Sequence, residues 1–328
     1  MLRIHFTTAD LTRVTLAPHS DPLWDIVFSA WRLRERGWAL DHRPWLRALA
    51  TTPRSHVTPV HAGRGVLGVL APMGPYFPDF LTPPDGRLGL AAGLDALCHT
   101  PRRELRAQLG RLGGTDTLPV WTAPIGDGEP AALTDLAATL RAYHRVVIAS
   151  HAEVVDRGVA ADLAHRVHRL TSGGVEALWA SMSPVVRWRP PVLEVDYAID
   201  RELRLGGRGL RLVPSYFCRR TPVSLANPDL PPVLVYPIAQ EFAWLPVAGA
   251  GGSLDDLIGA TRGSVLRTVG PGTTTTQIAR RIGISLASAS RHTATLRNAG
   301  LLRGERDGTA VLHTLTPLGR SLLETTGG

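Results

Sequence analysis

The chain has 328 residues, and 36 basic against 28 acidic side chains give it a formal charge of +8 and a pI near 10.5. Lysine is absent, so arginine carries the whole excess, a balance that favours a polyanionic partner on a chain long enough for two domains with sizeable cores. Two cysteines, Cys98 and Cys218, exclude a disulfide framework or a four-thiolate zinc site, and the longest apolar stretch, Gly65 to Phe77, is broken by Pro72 and Pro75 and falls short of the roughly 20 residues of a membrane span.

The opening MLRIHFTTADLTRV lacks the apolar core of a signal peptide, so a soluble, cytoplasmic, nucleoid-associated protein is expected. Leu2 to Phe6 alternates as a strand does, and Thr7 to Asp10 can start a helix. Between Pro22 and Arg36, Leu23, Ile26, Val27, Ala30, Trp31 and Leu33 recur at helical spacing behind an initial proline. A further helix is expected over Pro44 to Ala50, loops and short helices from Thr51 to Pro84, and helices over Leu88 to Leu97 and Glu104 to Leu112. Ala131 to Met182 is helical in composition, with breaks expected near Gly158 and at Gly173-Gly174.

After Pro184 the pattern turns to strand at Val192 to Val195, Glu202 to Leu205, Leu210 to Val213 and Val233 to Tyr236, and GGRG at 206–209 predicts a hairpin between the middle pair. The N-terminal strand can join this sheet, which closes one α+β domain over residues 1–245. The stretch PVAGAGG at 246–252 reads as a linker, and its GxG lacks the context of a phosphate loop. Residues 253–328 then form a second domain, whose first helix, capped by Ser253 with Asp256, turns Leu257, Ile258, Val265, Leu266 and Val269 inward.

Thr273 to Gly300 reads as two helices joined by a tight turn. Thr274 and Gln277 form a capping box, Gly283 ends the first helix in the left-handed conformation, and Ser285 caps the second three residues into the turn, the helix-turn-helix length. At about 100° per residue, Leu286, Ala289, Thr293, Leu296 and Gly300 share one side of the second helix. Ala287, Arg291, Ala294 and Asn298 point away, flanked by Ser288 and Thr295. Small residues around one arginine suit a helix pressed into a major groove, where Arg291 can offer a bidentate fork to guanine. Leu301 to Leu315 holds two extended runs around Asp307-Gly308, a hairpin dipeptide, and reads as a wing. Thr316-Pro317 starts a closing helix with Leu318, Leu322 and Leu323 as its apolar stripe.

The sequence GATRGSVLRTV, then TTTTQIARRIGIS, then SASRHTATLRNAGLL with RDGTAVLHTLTPLG, resembles the winged-helix domain of ArsR-type bacterial transcriptional regulators over about 75 residues, Ser253 to Gly328. Carried over by position, the resemblance implies base-facing roles for Ala287, Ser288 and Arg291, phosphate contacts from Thr275, Gln277 and Ser290, and a wing-tip contact from Arg306. Ser285, Thr295 and Arg303 complete the expected DNA-contacting set. Two departures stand out: Thr293 replaces a usual leucine, and the cysteine-rich metal box of metal-sensing members is missing. GGRGLRLVPSYF and PPVLVYP resemble the N-terminal region attached to such winged helices in actinobacterial regulators, which implies a companion regulatory domain.

Other candidate sites are thinner. All eight tryptophans precede the linker, and Trp24 and Trp31, seven apart, share a helix face. They either line a pocket for an apolar or aromatic effector or fill the core of a mixed domain; a front domain of this size can enclose a pocket of about 300–1,000 Å³. His165 and His168 with Asp162 could hold a divalent ion if a fourth ligand arrived, although a solvated helix explains the cluster as well. Arg219 and Arg220 beside Ser215 and Cys218 could lower a thiol pKa, against the reading of a buried structural cysteine. Neither a GxSxG nor an HExxH motif occurs, and no cofactor is implied.

The sequence therefore predicts an α+β front domain followed by a winged helix-turn-helix. It predicts a regulator, in such families most often a repressor, that binds double-stranded DNA as a homodimer on an inverted repeat and answers to an organic effector or a partner protein rather than a metal. A winged helix used for protein interaction, or an enzyme fused to a DNA-binding domain, are the competing classes.

Overall fold

A computed structural model describes residues 1–35, 45, 46, 49, 57–113, 118–219, 221–239, 254–270, 272–307 and 310–326. The chain divides into two units, Met1–Leu245 and Pro246–Gly328. The expected linker at 246–252, the Ser253 cap and most of the helix expected over Pro44 to Ala50 lie outside the described residues.

In the first unit, β1 (Leu2–His5) leads into the short helix α1 (Thr8–Leu11), which Thr7 and Asp10 close with a reciprocal capping box. The strand β2 (Val14–Leu16) follows, and then α2 (Pro22–Arg32), capped by Asp21 with proline at its first position. Four more helices build the helical core: α3 (Val57–Leu70), α4 (Leu90–Cys98), α5 (Arg102–Gly113) and α6 (Pro130–Val147). The long α7 (Ala152–Ser181) carries the chain to the strands β3 (Val186–Arg189), β4 (Val192–Val195), β5 (Arg201–Arg204), β6 (Leu210–Ser215) and β7 (Val233–Pro237). One sheet has the order β3-β4-β1-β5 and another β2-β6-β7. The N-terminal strand does join the late strands, antiparallel to β4 and parallel to β5.

Three expectations for this unit fail for identifiable reasons. The stretch expected as loops and short helices contains the longer, 14-residue α3, whose glycines disfavour a helix in isolation. A side chain at Gly63 would lie 2.4 Å from the Tyr143 ring, so the glycine is there to let α3 and α6 approach. Gly158 does not break α7 but is buried inside it; the break falls earlier, in the 3-10 turn Ala149–His151. Gly173 and Gly174 do leave helical geometry, and Arg166 spans that kink by donating to the Ser181 carbonyl and, at 2.9 Å, to its hydroxyl.

The third concerns GGRG, which joins no hairpin: β5 and β6 belong to different sheets. Gly206, Gly207 and Gly209 all take positive φ, and a side chain at Gly209 would lie 2.3 Å from the Arg13 carbonyl oxygen. Asp10 holds this crossing, accepting from the Gly209 amide at 2.8 Å, and it is buried. Its pKa is lowered to about 2: burial opposes the shift, and hydrogen bonds from Thr7 and Gly209 outweigh it.

Asp162, on α7, is fully buried and meets the Arg166 guanidinium at 2.9 Å, the Tyr236 hydroxyl at 3.0 Å and the Ala239 amide at 3.0 Å. Its carboxylate is committed to this network and His168 is exposed, so the Asp162, His165 and His168 face does not converge on a cation. Cys218 is buried too, and burial pushes its thiol up to about 12, so the lowered thiol pKa does not arise. Arg219 pairs instead with Glu35 at 2.6 Å, while Arg220 lies outside the described residues. Among the described residues no helix is long and apolar enough to cross a membrane.

The second unit opens with α8 (Leu254–Ile258) and α9 (Ala260–Thr268), two helices where one was expected, separated at Gly259 with φ 86°. There follow β8 (Thr273–Thr274), α10 (Thr275–Ile282), α11 (Leu286–Asn298), the wing strands β9 (Leu302–Asp307) and β10 (Ala310–Leu315), and α12 (Pro317–Thr326). The three strands form one sheet in the order β8-β10-β9. Val265, Leu266, Val269, Ile278, Ala289 and Leu296 fill its core. Leu257 and Leu318, both expected inside, are 72% and 58% exposed. On α12 Gly319 takes the inward place, since a side chain there would lie 2.2 Å from the Leu301 carbonyl oxygen.

Candidate nucleic-acid interface

Local chemistry sets the two helices of the motif. Thr274 accepts from the Gln277 amide at 3.2 Å while the Gln277 side chain accepts from the Thr274 amide at 2.9 Å, closing the capping box that starts α10. Gly283 ends it at φ 70° and ψ 34°, the left-handed cap only glycine adopts without strain. Ser285 then caps α11 by accepting from the Ser288 amide at 3.2 Å.

Ala289, Thr293 and Leu296 turn into the core of the unit and fix how α11 is presented. The Thr293 hydroxyl, buried where a leucine is usual in the families the chain resembles, donates to the Ala289 carbonyl at 2.9 Å and so is satisfied inside its own helix. Leu286 does not join this stripe and is 55% exposed. It is the first residue of α11, and a helical side chain leans toward the N-terminus, so it projects past the packed turn instead of into it. Gly300, placed on the same side by spacing, is exposed after the helix end.

The outer face of α11 gathers Ala287, Ser290, Arg291 and Thr295, all exposed, with Ser288 half-buried beside them. Ser288 shares a 3.3 Å hydrogen bond with His292, and Thr295 donates back to the Arg291 carbonyl at 3.0 Å. Arg291 forms no ion pair among the described residues, so its fork stays available. The sequence placed Leu286 on the inward stripe and did not single out His292. The signal for Leu286 was its place directly after the Ser285 cap.

The remaining expected residues are less uniform. Gln277 is exposed, but its carbonyl oxygen is used by the capping box, which leaves its NH2 group as a donor. The Thr275 hydroxyl is half-buried and bonded at 2.9 Å to Nε2 of His313 on β10, a tie between α10 and the wing that competes with a phosphate contact. Burial, with Arg297 nearby, lowers the pKa of His313, which favours the neutral ring. Arg303 sits 3.4 Å from Glu305 on the exposed wing, an arrangement that reduces its charge to an outside partner. Arg306 is exposed two positions from the wing tip. The ladder closes at Asp307 opposite Ala310, so Asp307 belongs to the strand and not to the turn; Gly308 lies outside the described residues.

A model of the IclR helix-turn-helix domain matches residues 264–306, from within α9 through α10 and α11 into β9. No curated protein and no solved structure matches the chain. The second unit thus carries a helix-turn-helix DNA-binding domain, which supports a transcriptional regulator rather than an enzyme. The match is to the IclR domain, and it lends no support to the ArsR affiliation that the sequence resembles.

Proposed function

We propose that the protein is a sequence-specific transcriptional regulator, a repressor that binds an inverted repeat as a homodimer and is controlled by an organic ligand of the first unit. The observation that carries the reading is the outer face of α11, small and polar around the free fork of Arg291 on a helix whose other face is locked into a core. Ala287, Ser288 and Arg291 read bases, with Leu286 offering an apolar contact to a thymine methyl. Ser285, Ser290, Thr295 and the Gln277 NH2 group serve the backbone, Arg303 and Arg306 reach it from the wing, and Thr275 does so only by giving up His313. An ArsR-type affiliation remains part of this proposal on the sequence resemblance alone.

The dimer follows because one helix reads few base pairs and two-fold symmetry doubles them. Leu257 on α8 and Leu318 on α12, large apolar side chains left in solvent on helices that pack on each other, supply apolar surface for the seam between copies. Sequencing the DNA that the purified protein retains from a random pool tests the proposal: a recurring two-fold motif supports it, and recovery of unrelated sequences contradicts it.

A further inference from the structure

Among the cavities of the first unit, two small ones are lined by Trp24 and by Trp31, which both pack edge-on against the Phe77 ring at 5.7 Å. Trp24 lines one of about 150 Å³ and Trp31 the other, of about 110 Å³. Both are smaller than the expected chamber, a size that only more open clefts of this unit reach, at about 340 and 400 Å³, and the tryptophans serve core and cavity at once.

The Trp31 cavity has the clearer chemistry. Tyr76, Phe77, Tyr197 and Val223 complete its walls. The Trp31 indole donates to the Ala71 carbonyl at 2.8 Å, the Tyr76 hydroxyl to Gln108 at 3.1 Å and the Tyr197 hydroxyl to Ser224 at 3.2 Å. With their polar groups committed, these rings bring apolar surface to the cavity.

Two guanidiniums reach the same place from different elements. Arg111, at the exposed end of α5, lies 4.1 Å over the Tyr76 ring, and Arg201 on β5 donates to the Ala226 carbonyl at 3.1 Å. The carboxylate they share as a neighbour, Asp79, already accepts from the Ala226 and Asn227 amides, at 2.7 Å each. Neither arginine forms an ion pair among the described residues. Asp79 lines the same cavity, but its two oxygens are taken up by backbone amides, so the two planar forks stay open to a further anion, and a planar carboxylate is the group such forks grip in bidentate fashion. At about 110 Å³ this cavity falls below the roughly 150 Å³ that takes a benzene ring, so it admits at most a single ring, held partly in its open mouth with the charge outside.

We infer that this cavity binds a small aromatic carboxylate, its ring among Trp31, Tyr76 and Tyr197 and its carboxylate across Arg111 and Arg201. That such a ligand is the effector rests on the regulatory reading above; that it binds does not.

The test titrates the full-length protein calorimetrically with sodium benzoate and sodium phenylacetate, and with neutral benzamide. Saturable binding of at least one carboxylate is expected, at least tenfold tighter than benzamide. It should weaken at least tenfold in Arg111→Gln and stay unchanged in Arg103→Gln, an exposed arginine of the same helix that does not line the cavity. Thermal melting confirms that both variants fold, as their exposure predicts. Absence of saturable binding by both carboxylates, or equal binding by wild type and a folded Arg111→Gln, overturns the site. A DNA titration with the bound carboxylate separates the two readings. A tenfold or larger change in affinity supports the effector role, ligand binding that leaves DNA affinity unchanged overturns that role alone, and ligand binding by a protein that retains no specific DNA overturns the regulator and leaves the site standing.

Discussion

Arg291 stands exposed where the helical period puts it, and Arg306 is exposed near the end of β9, the strand of the wing on which the resemblance placed it. Leu257, Leu286 and Leu318 escaped the same argument: each lies within the first turn or two of a short helix, where the stripe extends past the surface that covers it. The Asp162 network was invisible for another reason, since its partners lie up to 77 residues away. It yields a definite expectation. Asp162→Ala leaves the Arg166 guanidinium, 4% exposed, without its carboxylate and should destabilise the protein by about 3–5 kcal/mol; a urea midpoint indistinguishable from wild type would contradict the network. Arg306→Ala, on the exposed wing, should leave stability alone, weaken binding to all duplexes evenly and reduce the salt slope by about one. Anisotropy titrations at several salt concentrations measure both effects.

At the scale of elements, caps and periods carried the second unit. The capping box of α10, the glycine stop and the serine cap of α11 are local chemistry, complete within a few residues, and the sequence could therefore be read there. In the first unit tertiary packing overrides local preference. Helix α3 forms despite its glycines because Gly63 must meet Tyr143, and GGRG carries the chain between sheets because Asp10 and Arg13 wait across the turn. The start of α2 shows a second consequence of packing. Burial pushes Asp25 up to about 7, against the hydrogen bond it accepts from Ser215 at 2.6 Å, and pushes Asp21 up to about 6. A carboxyl that keeps its proton longer in the folded chain than in the unfolded one makes folding take up protons between the two pKa values. Its contribution is complete below about pH 4 and is lost as pH rises through 7. Asp25→Asn should therefore lose less stability than wild type between pH 5 and pH 8 in urea unfolding. Parallel declines in the two proteins would rule out Asp25 as the source.

For the whole molecule, an α+β unit followed by a winged helix could be read from composition and motif order, whereas the two separate sheets of the first unit could not, since strand partners are chosen across the chain. The seam proposed on α8 and α12 predicts that the protein sediments as a dimer at micromolar concentration and that Leu257→Asp with Leu318→Asp makes it monomeric. A wild-type monomer with a footprint lacking two-fold symmetry would contradict the assembly. The proposed dimer predicts half-sites about one helical turn apart, roughly 34 Å. The central claim is narrower, that the outer face of α11 reads bases, and one titration addresses it directly. Wild type and Arg291→Ala are titrated against a selected site and a scrambled duplex of equal length at one salt concentration. The variant should lose about 1–3 kcal/mol on the selected site and far less on the scrambled one; equal losses on both duplexes would show that Arg291 serves the backbone and that the sequence is read elsewhere.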